Sequence, residues 1–283
     1  MGQWRGFGVV VKYVSKFLSE HNVPHHVGAW IEIPNPYRPK IAIHIGHWAF
    51  QKPDHKAPIQ IGYLVTEGKV KREGLEWLKR YDYIIVPSKW VKERFEELDL
   101  HVDAVVPHGI DTQLFKPMNL PKFIDVLSVG IWESHFDDRK FMRKVVDVAF
   151  PYTCHVHSRN TVKYEELPKL YNMSRVYLSL TGAEAFNIPV LEAMSCGLPI
   201  VYNDAPATNE IAVGIGVKPT KIYESLGFVS HTIHVPNFEK IREELHKLLK
   251  DEKRIRELGN EARKKALEYD YRKVYVKLLE FIR

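Results

Sequence analysis

Apolar residues in this chain come in short dense runs, separated by stretches where they thin to a helical stripe. The dense runs Val27–Ile33, Ile41–Ile45, Ile59–Val65 and Tyr83–Val86, then Val126–Val129, Thr153–Val156, Val176–Leu180 and Pro199–Tyr202, predict strands. Between them, Val10, Tyr13, Val14, Phe17 and Leu18 share one helical face, and Trp90, Val91 and Phe95 share another that Ser88 is placed to cap. Further helices are expected over Asp138–Val148, Glu165–Asn172, Phe238–Lys250 and Glu252–Tyr269. Strands and helices that alternate in this way make an α/β protein, with parallel sheets covered by helices on both faces. Two prolines and an asparagine interrupt the pattern over Lys116–Lys122, which marks a linker. The chain thus divides into residues 1–118 and 119–270, each long enough for its own core, with 271–283 behind them.

The most informative stretch runs from Thr181 to Glu210. Glu184 and Glu192 stand either side of a turn with seven residues between them, the second inside a helix. Pro189 suits the helix start, because its missing N–H is one the first turn could not have bonded. Amides around Asn187 and Ile188 then face outward, as an anion such as phosphate requires. Glu192, further into the helix, offers a two-oxygen acceptor for vicinal hydroxyls. A carboxylate, a phosphate-facing turn and a second carboxylate together describe a sugar-nucleotide site.

This segment resembles the Glu-x7-Glu signature of the retaining glycosyltransferases of family four, which have the GT-B fold of two Rossmann-like domains facing a cleft. The resemblance implies that Glu184 contacts the transferred sugar and that Glu192 holds the ribose. It also implies that the Ala185, Phe186, Asn187 and Ile188 turn faces the diphosphate. The family pattern has Gly where Ala185 and Asn187 stand, so this turn is the less permissive. Similar stretches are Ile61–Gly68, Val86–Val91 and Val105–Asp111, the last closing at Phe115-Lys116-Pro117. In relatives a glycine loop faces the donor phosphates, a place that falls here on Gly6 and Gly8, without the strand that usually precedes them. The family arginine after the first strand of the second domain is replaced by Ile131. Lys140 matches the family lysine, and Arg139 is placed to supply the missing charge. Glu67 and His108 are expected on the cleft wall, Arg159 beside the base, and residues 271–283 in a helix crossing back to the first domain.

The resemblance implies transfer of a hexosyl unit, with retention, from a nucleoside-diphosphate sugar to a glycan, lipid or protein acceptor. No cofactor is expected beyond that donor. No serine or cysteine nucleophile with a base, and no glycosidase-like carboxylate pair, is visible. Composition adds little against this. Lys+Arg 41 against Asp+Glu 35 gives a net charge of +6, spread along the chain, which suits nucleotide diphosphates or anionic head groups and does not indicate nucleic acid. Cys154 and Cys196 lie far apart in sequence, and no apolar run reaches membrane-spanning length, so a cytoplasmic enzyme with peripheral membrane contact is expected. Neither His44 with His47 nor His155 with His157 has a third ligand at useful spacing, so metal independence is expected. The competing readings are a sugar-nucleotide epimerase of the same fold and a non-catalytic nucleotide-sugar or nucleic-acid binding protein.

Overall fold

Ile- and Val-rich runs pair into two separate parallel sheets. The computed structural model describes residues 6–28, 39–53, 57–130, 138–158, 162–225, 227 and 229–282. The first sheet has the order β1-β2-β3-β4, from β1 (Ile41–His47), β2 (Ile59–Val65), β3 (Tyr83–Val86) and β4 (Ala104–Val105). Its neighbours are all parallel, with Ile43 opposite Ile61 and His47 opposite Val65. Helix α1 (Gly6–Glu20) buries Val9, Val10, Tyr13, Val14, Phe17 and Leu18 in the cluster that also holds Ile61, Tyr63 and Ile85. The opposite face, with Leu64 and Val86, packs against α2 (Leu75–Leu78) and α3 (Lys89–Glu96). Burial on both faces explains why these strands are continuously apolar. The Ser88 hydroxyl caps α3 by accepting from Val91 N at 3.2 Å.

The second sheet has the order β6-β5-β7-β8-β9: β5 (Ile124–Gly130), β6 (Cys154–Ser158), β7 (Ser174–Ser179), β8 (Ile200–Asn203) and β9 (Gly214–Val217). Around it lie α4 (Val145–Ala149), α5 (Leu167–Asn172), α6 (Ile188–Ser195), α7 (Thr208–Ile211), α8 (Phe238–Leu249) and α9 (Glu252–Ala266). Every residue of α6 is buried, so it is a core helix with no solvent face. An antiparallel hairpin, β10 (Lys221–Glu224) with β11 (Thr232–Val235), stands apart from this sheet. Among the described residues no helix is long and apolar enough to cross a membrane.

Three expectations change. Asp138–Val148 is not one helix but 3₁₀ turns at Asp138–Lys140 and Met142–Lys144, followed by α4, with Phe141 between the turns at φ 48°. The cause is tertiary: the Arg139 carbonyl, which a continuous helix would use, accepts from Gly182 N at 2.6 Å. Gly6 and Gly8 form the first turn of α1 and not a loop, because the apolar stripe beginning at Val9 draws the helix back over them. Of the strand expected over Val27–Ile33, residues 29–33 lie outside the described residues, and Val27 and Gly28 are not in a strand.

The two sheets are joined by 116–123, which form neither helix nor strand but are held in place. Asn172 accepts from Met118 N at 2.6 Å and donates to Lys116 O at 2.9 Å, while Arg263 donates to the carbonyls of Phe115, Ser195 and Thr112 at 2.9, 2.7 and 3.1 Å. Beyond α9 the chain returns to the first domain through α10 (Tyr271–Val274) and α11 (Leu279–Ile282). Tyr271 stacks on Tyr13 of α1 at 5.2 Å and its hydroxyl donates to Glu20 at 2.6 Å. Gly109 N donates to the Tyr275 hydroxyl at 3.0 Å.

The tail docks closely because position 109 has no side chain: a Cβ there would lie 2.5 Å from Tyr271 Cα. Gly109→Ala is expected to lift the tail and destabilise the protein by about 1–3 kcal/mol, the usual cost of overpacking. Urea unfolding checks the loss, and limited proteolysis checks that the tail is the first part cut.

Candidate functional site

The ends of β2 and β7 deliver two acidic side chains from different domains to one place. Glu67 follows β2 and Glu184 follows β7, and Arg139 lies between them. Arg139 Nη1 is 3.4 Å from Glu67 Oε1 and 3.8 Å from Glu184 Oε2, and it donates to Ala183 O at 2.8 Å. Lys140 Nζ is 2.9 Å from Glu184 Oε1, which also accepts from the Thr181 hydroxyl at 3.3 Å. All four charged side chains are largely buried, Lys140 the most exposed at 21%. Arg139 is therefore an interior member of the site and not a solvated side chain. Burial opposes charge on Glu184, but Lys140 and Arg139 overcome it and hold the carboxyl below its usual range.

The β10–β11 hairpin fixes the Glu67 end. Thr232 N donates to Glu67 O at 2.9 Å, the Ser230 hydroxyl to Lys69 O at 3.0 Å, and Lys71 Nζ to Gly227 O. At the other end of the site, His234 N donates to Gly182 O at 2.9 Å. One hairpin of the second domain thus contacts the backbone beside both carboxylates.

His47, at the end of β1, joins this cluster. Its Nδ1 accepts from Ala49 N at 3.2 Å, which places the ring proton on Nε2, 3.5 Å from Glu67 Oε2. Burial lowers its pKa; Glu67 pulls the other way, while His231 and Arg139 add to the lowering. His44 is elsewhere, with Nε2 2.8 Å from Gln60 Oε1, so the two histidines share no ligand position. His155 and His157 stack on β6 at 5.8 Å. Among the described residues no three His, Cys, Asp or Glu side chains form a metal ligand group.

The turn after Glu184 is built as its sequence requires. Asn187 takes the left-handed conformation, φ 68° and ψ 63°, at the start of α6, where glycine would be free of strain and asparagine is tolerated. Its side chain donates to the Thr208 hydroxyl at 2.9 Å, which supports that conformation. Ile188 and Pro189 open the helix, and Ala185, Phe186, Asn187 and Ile188 are all buried. The Phe186 ring meets His108 edge-on at 5.2 Å. His108 is buried, and burial takes its pKa down to about 3. Tyr63 donates its hydroxyl proton to Val106 O at 2.6 Å and so accepts from His108 Nδ1 at 2.9 Å.

Glu192 is fully buried, where an accessible carboxylate was expected. Tyr164 donates to its Oε1 at 3.0 Å and Tyr171 to its Oε2 at 2.8 Å. Gly6 and Gly8 stand in the first turn of α1 and not in a loop. Arg159 and Ile131 lie outside the described residues. The structure thus brings together Glu67, Arg139, Lys140 and Glu184, with the 185–188 turn, His108 and Glu192 behind them. His47, Tyr164 and Tyr171 are the participants that sequence reading missed. For His47 the available signal was its place at the end of a strand, beside the end of the strand that leads to Glu67. For the tyrosines there was none, since a tyrosine on a buried helix face reads as core.

Residues 152–265 match the family described as Glycosyl transferases group 1. The protein named "Putative glycosyltransferase 41" of Sulfolobus islandicus filamentous virus is 28% identical over 209 residues, covering 68% of this chain and 62% of that protein. Sucrose-phosphate synthase from Thermosynechococcus elongatus superposes with a TM-score of 0.66 at 15% identity, over 100% of this chain and 79% of that one. The pneumococcal O-GlcNAc transferase GtfA, solved with UDP and GlcNAc, gives a TM-score of 0.59 at 13% identity, over 79% of this chain and 52% of that one. The fold is GT-B, and the chain spans less than two thirds of the virus relative and about half of the pneumococcal structure.

The charge cluster carries a pH signature. Glu184 is held below the usual 4.5, so its contribution to stability is present above that value and is lost as pH falls through its lower folded pKa. His108 acts in the same direction: kept neutral down to about 3, it costs stability as pH falls from its usual 6.5. Glu184→Gln is expected to destabilise the protein by about 3 kcal/mol at neutral pH by stranding buried cations. The gap from wild type should narrow as pH falls below 4.5; urea unfolding at falling pH checks it.

Proposed function

We propose that this protein transfers a hexosyl unit, with retention, from a nucleoside-diphosphate sugar to a glycan, lipid or protein acceptor. The observation that carries the reading is the Arg139–Lys140 pair set against Glu184, just before the α6 turn that leads to Glu192. The group 1 match over residues 152–265 supports it.

In this reading the donor diphosphate takes over Arg139 and Lys140 from the two carboxylates, helped by the amides of the Ala185–Ile188 turn. Glu184, released from its cations, accepts from hydroxyls of the transferred sugar, and Glu192 accepts from the ribose. Glu67 and His47 form the opposite wall, and His108 backs the turn through Phe186. The C1–O bond to the diphosphate breaks, the acceptor oxygen bonds C1 on the same face, and the acceptor proton passes to the departing diphosphate oxygen. The protein's part is orientation and stabilisation of charge on the leaving group, interactions that strengthen in the transition state. We place the reaction in the cytoplasm, with peripheral membrane contact where the acceptor is a lipid, and assign it no metal.

A screen of UDP-, GDP- and ADP-sugars tests the donor class, since a ligand at about 100 times its dissociation constant adds ~2.7 kcal/mol of stability. One base series should raise the melting temperature, in EDTA as in its absence. NMR of the product should give the anomeric configuration of the donor; inversion would overturn retention. Glu184→Gln should damage turnover more than binding of the free nucleoside diphosphate. Lys140→Ala and Arg139→Ala should each slow transfer by tenfold to a thousandfold, corresponding to ~1–4 kcal/mol at the leaving group. Wild-type rates in both would remove the diphosphate assignment.

A further inference from the structure

Glu192 faces two phenols whose hydroxyls sit one on each carboxylate oxygen, at 3.0 Å from Tyr164 and 2.8 Å from Tyr171. A ribose presents the same thing, two adjacent hydroxyl donors for one carboxylate. The phenols therefore compete with the ribose for Glu192, and they are held in different ways.

Tyr171 is fixed within the second domain. It lies on α5, is fully buried, and packs its ring 6.0 Å from that of Tyr177 on β7, while Phe115, at the end of the first domain, meets both phenols, Tyr171 at 6.0 Å and Tyr164 at 5.3 Å. Tyr164 stands in a single 3₁₀ turn, Tyr164–Glu166, and is held from the first domain. Lys12 of α1 places its ammonium 4.9 Å over the Tyr164 ring and pairs with the adjacent Glu165 at 2.6 Å. Tyr13 of the same helix meets that ring edge-on at 6.3 Å. A relative movement of α1 and the second domain therefore loosens Tyr164 and leaves Tyr171 where it is.

We propose that Tyr164 is a gate on the ribose subsite: its hydroxyl occupies Glu192 in the free protein and is exchanged for a ribose hydroxyl when the donor binds. Tyr171 stays and fixes the orientation of the Glu192 carboxylate. Lys12, through Tyr164 and Glu165, couples the exchange to the contact between the domains. The proposal rests on the assignment of Glu192 to the ribose.

The two assignments separate in one calorimetric series, with UDP, GDP and ADP titrated into the full chain and its variants. Tyr164→Phe keeps the ring and removes the competing donor, so the preferred nucleotide should bind about tenfold tighter, the scale of one charged hydrogen bond. Lys12→Ala frees the gate without touching the core and should also bind more tightly. Glu192→Ala should bind at least tenfold more weakly, and Tyr171→Phe should show no gain. A merely structural tyrosine would give weaker binding, not tighter. If Glu192→Ala binds as wild type does, the ribose assignment falls and the gate with it. If Glu192→Ala weakens binding while folded Tyr164→Phe and Lys12→Ala show no gain, the gate alone is wrong. No binding by wild type or by Tyr164→Phe overturns both.

Discussion

Arg139 is buried between two carboxylates that come from different domains, and much of the site's construction serves that contact. Glu67 arrives from the end of β2, its backbone held by Thr232 of the hairpin. Glu184 arrives from the end of β7, held by Thr181 and paired again with Lys140. Taking four charges out of water is costly, and their mutual attraction repays the cost only with good geometry and further hydrogen bonds. A well-packed apolar cluster would hold two domains together at least as well. Under the function proposed above, the ion cluster provides in addition a pair of cations for the donor diphosphate, with carboxylates left for sugar hydroxyls.

The same economy appears deeper in the interface. α1, the returning tail and the turn at Tyr164 meet through Tyr13, Tyr164 and Tyr271, rings that bury a large apolar area while keeping a polar tip. Two of those tips reach acids: Tyr271 bonds Glu20, and Tyr164 bonds Glu192, as Tyr171 does from α5. Lys12 and Lys16 lie over two of these rings while pairing with Glu165 and Asp111, at 2.6 and 2.9 Å. The contact between domains is thus both apolar and charged, and its charged part touches the residues that flank the candidate site.

Much of the architecture was legible in the pattern of apolar residues. β2 and β3 fall on the runs Ile59–Val65 and Tyr83–Val86 without a shift, and α8 and α9 begin at Phe238 and Glu252 as expected. Strands buried on both faces and helices buried on one leave a period in the sequence that needs no partner to be read. The turn at Ala185–Ile188 was legible for a related reason, since Pro189 and the following apolar run impose a helix start locally. Segments set by distant partners were not. The stretch after Asp138 is polar enough and periodic enough for a helix, yet Gly182 takes the carbonyl that the helix needs. β10 is exposed along its length, and its hairpin exists to reach Glu67 and Lys69, a purpose no local pattern records.

The sequence by itself determined the α/β class, the placing of Glu184 and Glu192 about α6, and the nearness of a cationic pair. These follow from short-range rules, in which periodicity, turn chemistry and helix ends act over a few residues. Only the tertiary structure decided that Arg139 is interior, that His47 joins Glu67, and that Glu192 is closed beneath Tyr164 and Tyr171. Each of these depends on side chains far apart in sequence brought within hydrogen-bonding or ion-pair distance. The charge of a residue is fixed by its type, but what that charge faces is fixed only when the two domains are packed together.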